Sequence, residues 1–392
     1  MNTERTARAL ELMRRYAERT GVTAPGPGRR YLWTDAFAVC NFLGLAAATG
    51  DAALSALARR VIERVHDVLG RHRGDDGRTG RLSGLDEAEG ARHPTRGGLR
   101  IGKPLPERAR DEPLDDRLEW DRDGQYFHYL TKWMHALDQA ARAMRDTRYN
   151  VWARELAVAA HGAFVVAAPG ARTPHTYSNA ERMYWKMSID LSRPQVPSMG
   201  QHDPLDGLLT CVALDATAAE LGVADAGPRL GAIAADFAAM TTLDRLATTD
   251  PLGIGGLLVD AHRVAALRRA GAWAGDDGFF DALLVSAALG LRHYVRQPDL
   301  RAPAAHRLGF RELGLAIGLA AVEPLRADAG RSADARAALD ELARYASVRG
   351  VIESFWLDDA HRRQETWTTH EDINEVMLAT ALAPDGFLAR RA

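Results

Sequence analysis

The chain has 392 residues, 46% hydrophobic and 26% charged, the balance of an ordinary globular protein able to bury a large core. Lys plus Arg number 50 and Asp plus Glu 52, a formal net charge of −2, a near balance that argues against nucleic acid as the main partner. The two cysteines, Cys40 and Cys211, each lie in an apolar run; they exclude a disulfide framework or a Cys-based zinc site and read as core residues.

The opening MNTERTARALELMRRYAERTG alternates charged and apolar residues, which predicts an amphipathic helix rather than a signal peptide. No stretch approaches the roughly 18 uninterrupted apolar residues of a membrane span, so no membrane partner and a cytoplasmic location are expected. Helical periodicity then runs through almost the whole chain. It predicts helices over 3–20, 34–49, 52–72, 124–145, 147–166, 204–222, 228–243, 252–270, 277–296, 308–326, 333–347 and 370–382. Tight turns such as Thr49-Gly50-Asp51 and Arg145-Asp146-Thr147 join several of them, and short connections make antiparallel neighbours. The unit also repeats: FLGLA, a Gly50-Asp51 turn and LSALARRVIERV are echoed by MHALD, an Arg145-Asp146 turn and YNVWARELAVAAH. Helical hairpins of this kind bury their faces only by stacking on one another. The expected architecture is therefore one all-α domain over 1–392, an (α/α)6 barrel of about six hairpins.

Two connections are long. Residues 73–122 are rich in Gly, Pro and Arg but hold Leu82, Leu85, Leu99, Ile101 and Trp120, which predicts an ordered flap over the barrel mouth. In 167–203 the run MYWKMSID (183–190) predicts a short strand.

In a hairpin toroid alternate helices form the inner ring, and their N-termini follow the long connections. The candidate starts are Trp33-Thr34-Asp35, Asp123 to His128, His202 to Asp206, Gly253 to Gly256, Phe310-Arg311-Glu312 and Thr368 to Asp372. Five of the six carry a carboxylate. Each has a plainer explanation: Asp203-Pro204-Leu205-Asp206 and Thr368-Thr369-His370-Glu371 both fit helix capping, and Asp35 and Asp123 suit a helix N-terminus. Taken together with the nearby aromatic residues and histidines, they fit glycoside cleavage, which needs one carboxyl held protonated and another to activate water or attack carbon. Asp123 and Asp206 are the preferred catalytic pair, with Asp35 and Glu371 as further candidates; replacing either of the pair by Asn is expected to abolish turnover and leave folding intact. Trp33, Tyr126, Trp185 and Trp367 are candidates for stacking on sugar rings.

His128, His202 and His370 support a competing chemistry, abstraction and return of a sugar proton. With Asp203 and Arg311 they complete the expected substrate-binding set. None has an i, i+4 His partner, so neither a metal nor another cofactor is expected. Arg92, Arg96, Arg100 and Lys103 in the flap would suit an anionic substrate. Asp115-Asp116-Arg117-Leu118-Glu119 is similar to an Asp-rich magnesium motif but ends in Glu, beside Pro113.

The run YLWTDAFAVCNFLGLAAATGD (31–51), through Trp33, Thr34, Phe37, Thr49, Gly50 and Asp51, resembles the first inner helix of unsaturated glucuronyl hydrolases in the six-hairpin glycosidase superfamily. The resemblance implies an (α/α)6 toroid and a catalytic Asp at an inner-helix start, in a His-Asp-x-Gly-Phe setting. Asp123 occupies a similar place without that His, and QHDPLDG (201–207) has the His-Asp pair without Gly-Phe. The hairpin architecture is also similar to that of N-acylglucosamine 2-epimerases, which implies a histidine-based epimerase as the alternative. The expected function is hydrolysis of a glycosidic bond in a small saccharide, anionic if the flap cations face it. The other readings are sugar epimerisation and non-catalytic ligand binding or scaffolding.

Overall fold

The computed structural model describes residues 3–26, 28–167, 180–297, 299–327 and 332–389. It is mostly helical, organised as stacked helical hairpins, with minor strand content. The long helices are α1 (Thr3–Arg19), α2 (Leu32–Thr49), α3 (Ala52–Leu69), α4 (Phe127–Met144), α5 (Thr147–Phe164), α6 (Asp203–Glu220) and α7 (Gly231–Met240). They continue as α8 (Pro251–Arg269), α9 (Asp277–Tyr294), α10 (Gly309–Leu319), α11 (Ala333–Arg344), α12 (Ala346–Leu357) and α13 (Glu371–Leu382). The strands are β1 (Gln125–Tyr126), β2 (Val165–Ala167), β3 (Ala180–Met183), β4 (Lys186–Met187) and β5 (Pro194–Val196).

The helix ends follow from local chemistry. Arg145, in the left-handed conformation at φ 50°, stops α4, and Asp146 then caps α5 by accepting from the Arg148 N–H at 3.2 Å. Asp250 ahead of Pro251, Asp276 and Ser332 open α8, α9 and α11 in the same way. Helices are present at all twelve expected places, although the one expected over 308–326 breaks into α10 and a short helix, Val322–Ala327. The fourth starts at Phe127 rather than 124 because Gln125–Tyr126 is strand, and α12 is additional. Gly350 and the β-branched residues of α12 weaken its helical signal, yet Val348, Ile352 and Trp356 recur every fourth residue and are buried. MYWKMSID contributes β4, as expected, while part of the 167–203 connection lies outside the described residues.

The described residues fall into two compact units. The first is built on Met1–Arg19, Asn41–Ala52 and Thr242–Arg390. In it α1 buries the stripe Ala9, Leu12, Met13 and Tyr16 and packs on α13. Part-buried ion pairs tie α1 to its neighbours: Arg5 grips Glu353 of α12 through two bonds of 2.7 Å, and Arg19 reaches Asp372 at 2.7 Å and Glu375 at 2.9 Å on α13.

The second unit is built on Thr20–Cys40 and Ala53–Thr241. It holds α3 to α7 and all five strands. Helix α3 buries Leu54, Ala58, Val61, Ile62, Val65 and Leu69, an amphipathic stripe at 3–4 residue spacing. Among the described residues one helix, α2, is long and apolar enough to cross a membrane by length and composition, and 72% of it is buried as core. Cys40 and Cys211 are both buried, as expected. The 73–122 connection is ordered, with two short helices, Glu87–Arg92 and Asp116–Glu119.

Candidate active site

In the second unit the first turns of α2, α4 and α6 lie beside one another. Strand β1 pairs antiparallel with β4, Gln125 opposite Met187 and Tyr126 opposite Lys186, and β4 pairs with β5. Gly124, at φ 151°, runs so close to β4 that a Cβ would stand 2.7 Å from the Met187 carbonyl oxygen. The ribbon ends at Tyr126, whose extended backbone opens α4, so aromatic strand residues lead directly into His128.

An aromatic wall results. Tyr126 stacks on His128 at 5.4 Å, and Trp185 lies 5.1 Å from Tyr126 and 6.0 Å from His128, nearly parallel to the imidazole. Trp33 meets His128 at 5.9 Å and Tyr129 at 5.3 Å. Trp120, 51% exposed, stands edge-on to Trp185 at 5.1 Å. The fully buried Lys186 fixes that corner, donating to Glu119 Oε1 and to the carbonyls of Glu119 and Arg122, each at 2.8 Å.

The carboxylates beside the wall are Asp203 and Asp206. His202 occupies the N-cap of α6 without a side-chain capping bond, so helix capping does not account for Asp203 at the next position. Asp206, one turn on, accepts from Lys132 Nζ with both oxygens, at 2.8 and 2.7 Å, and from Thr131 Oγ1 at 3.4 Å. Asp203 is buried, and its Oδ2 has no hydrogen-bond partner among the described residues. Burial, reinforced by the Asp206 charge, outweighs the Lys132 cation and the Gly200 N–H and pushes the Asp203 carboxyl up to about 7. A Cβ on Gly200 would stand 2.5 Å from that same Oδ2, so only glycine leaves the carboxyl its place. The result is two carboxyls one helical turn apart in different environments, Asp206 salt-bridged to Lys132 and Asp203 buried with an unpartnered oxygen. Burial and the Lys132 cation, against the opposing Asp206, push His128 down to about 4, so its imidazole is neutral at pH 7. The indole N–H of buried Trp33 likewise lacks a partner among the described residues.

Other sequence candidates have different surroundings. Asp123 is fully buried, accepting from Arg100 at 2.5 Å, Arg73 at 3.2 Å, and the backbone N–H groups of Gly102, Lys103 and Gly124 at 3.0 to 3.3 Å. It is the anchor that ties the 73–122 connection to α4, with its lone pairs committed. Asp35 is buried against Arg30 at 3.0 Å and accepts from the Tyr31 N–H at 3.0 Å, which satisfies a backbone donor at the start of α2. Arg311, His370 and Glu371 belong to the first unit: Arg311 pairs with Asp250 at 2.8 Å, exposed His370 meets Phe310 edge-on, and Glu371 lies 3.5 Å from Arg19. Half-buried His202 precedes Asp203, and Trp367 stacks on Trp356 in the first unit's core. Among the flap cations, Arg92 pairs with Glu89, Arg96 with Glu155 and Arg100 with Asp123; Lys103 alone reaches the aromatic group, 5.5 Å over the Tyr31 ring. Asp115 caps a short helix and Glu119 pairs with Lys186, which accounts for that acidic run. Among the described residues no group of three or more His, Cys, Asp or Glu side chains is arranged to hold a metal ion.

Sequence reasoning did not single out Lys132, Thr131, Tyr129, Tyr31 or Gly200. Lys132 and Thr131 follow His128 by four and three residues, the spacing that places side chains on one helix face, and that signal was available.

The helical-hairpin fold is that of the (α/α)6 toroid found in the six-hairpin glycosidases. An alpha-mannanase of glycoside hydrolase family GH76 from Bacteroides thetaiotaomicron shares it, with a TM-score of 0.53 over 96% of this chain and 96% of that one. The two are 10% identical in sequence, so the likeness is one of fold. No family model and no curated protein matches the sequence.

Proposed function

We propose that this protein is a carbohydrate-active enzyme that hydrolyses a glycosidic bond in a small saccharide, with Asp203 as proton donor and Asp206 as the ionised partner. The observation that carries the reading is the split environment of these two carboxyls beside the Trp185–Tyr126–His128 wall. In the reaction, neutral Asp203 gives its proton to the leaving oxygen as the carbon–oxygen bond breaks. Asp206, salt-bridged to Lys132, either attacks the sugar carbon or takes a proton from the attacking water. The aromatic face of Trp185 supplies stacking surface for sugar rings, and the unpartnered Trp33 N–H and Asp203 Oδ2 suit substrate oxygens. Lys103 at the edge of the group favours a substrate bearing negative charge. The likeness to an alpha-mannanase supports the same substrate class.

His128 fits the epimerase alternative less well. A general base works best with a pKa near the working pH, and burial beside Lys132 makes this imidazole a poor proton acceptor. The test is incubation with a panel of neutral and uronate-containing short oligosaccharides. New reducing ends are expected. Solvent deuterium entering recovered sugar without cleavage would refute hydrolysis.

A further inference from the structure

The second unit carries another pocket, of about 200 Å³, between α3 and α5 and closed on one side by the long connection. It shares no lining residue with the site around Asp203. Arg81 is one of its walls. That side chain is 6% exposed, and its stem lies on Gly90, where a Cβ would stand 2.0 Å from Arg81 Cδ. Gly90 therefore makes the channel that holds the arginine in place.

Arg81 is poorly satisfied where it stands. Asp67 is 3.8 Å from one terminal nitrogen and Glu87 is 3.5 Å from Nε, beyond good hydrogen-bond range. Glu87 already gives both oxygens to Arg71, at 2.6 and 2.5 Å. Arg81 Nε and Nη1 have no hydrogen-bond partner among the described residues. Buried donors without partners are costly, and a guanidinium fork of this kind matches the two oxygens of a carboxylate.

The other walls narrow the ligand. Arg59 adds a second cation whose hydrogen-bond contact is the Met144 sulfur at 3.9 Å, whereas Arg148 is engaged by Asp146. Glu63 and Asp67 line the same space and would repel a doubly charged phosphate, yet they accept hydrogen bonds from hydroxyls. Trp152, its N–H held by the Arg92 carbonyl at 2.7 Å, provides an apolar wall. His66 accepts from the Trp133 N–H at 3.2 Å and, pushed down to about 3 by burial, brings no charge.

We propose that this pocket binds a small hydroxylated monocarboxylate, of the size and chemistry of a sugar acid, with its carboxylate on Arg81 and its hydroxyls on Glu63 and Asp67. The site is separate from the catalytic proposal and stands or falls without it.

Isothermal titration of the full chain with glucuronate, glucose and inorganic phosphate tests this. Glucuronate is expected to bind, with glucose and phosphate weaker by about tenfold or more. Arg81→Gln should weaken glucuronate by about tenfold or more, as should Ala91→Glu, which puts a competing carboxylate on the pocket's exposed rim without touching the core. Asp203→Asn should leave this binding unchanged. Absence of glucuronate binding up to about 10 mM, phosphate binding tighter than glucuronate, or binding that both pocket variants leave intact would overturn the proposal.

Discussion

Replacing Asp203 by Asn should stabilise the protein in alkaline solution while removing its activity. An unfolded aspartate titrates near 3.8, and in the fold this carboxyl titrates at about 7. Below 3.8 both states are protonated and the fold carries no penalty from this group. Between the two values the folded state keeps a proton that the unfolded state has lost, so stability falls as pH rises. Above about 7 both states are ionised and the fold bears the whole cost of a charge held away from water. At about 1.4 kcal/mol per pH unit that cost is about 4 kcal/mol. Asparagine is uncharged, has nearly the same shape and can still accept from the Gly200 N–H, so it escapes the penalty. Urea unfolding followed by tryptophan fluorescence should place the variant up to about 4 kcal/mol above wild type at pH 8.5 and within about 1 kcal/mol of it at pH 4. A variant equally destabilised at both pH values would refute the argument, because it would mean that Asp203 is held by favourable contacts rather than against them.

Three further outcomes follow from the same geometry. The kcat/KM for a cleaved saccharide should fall about tenfold per pH unit above about pH 7, as Asp203 loses the proton it must donate; a flat profile to pH 9 would contradict this. Asp123→Asn, contrary to the sequence expectation, should chiefly damage the fold, by about 3 to 5 kcal/mol, since it leaves the buried Arg100 without its counter-charge; thermal unfolding measures it. Trp185→Ala should raise KM by about three- to tenfold with kcat little changed, the loss of one stacking face worth about 0.5 to 1.5 kcal/mol, read from initial rates.

The helical framework was legible because its signals are local. The buried stripe of α1 and the Asp146, Asp250 and Asp276 caps can all be read within a few residues. Helix α12 escaped because Gly350 and the β-branched residues around it carry no helical signature of their own. The site was half legible. Asp206, His128, Tyr126, Trp185 and Trp33 were named from position and residue type, and the structure sets them side by side. Asp123 was preferred as catalytic and Asp203 read as substrate-binding, since nothing local shows that Arg100 and Arg73 occupy Asp123. Asp203 instead faces burial and a neighbouring charge, which are properties of tertiary packing.

One compositional signal did point at the site. The chain has only three lysines, Lys103, Lys132 and Lys186, and uses arginine everywhere else. Lys132 holds Asp206, Lys103 lies over Tyr31, and Lys186 sits 5.4 Å over the Tyr126 ring while anchoring the corner beside Trp120. A compact ammonium fits these places where a planar fork does not.

The most direct test of Asp203 as proton donor compares two substrates on Asp203→Asn. A natural oligosaccharide needs its leaving oxygen protonated; a dinitrophenyl glycoside does not. The variant should lose about 100- to 10,000-fold in kcat on the first and stay near wild type for cleavage of the second. Equal losses on both would show that Asp203 does some other work, and would contradict the assignment.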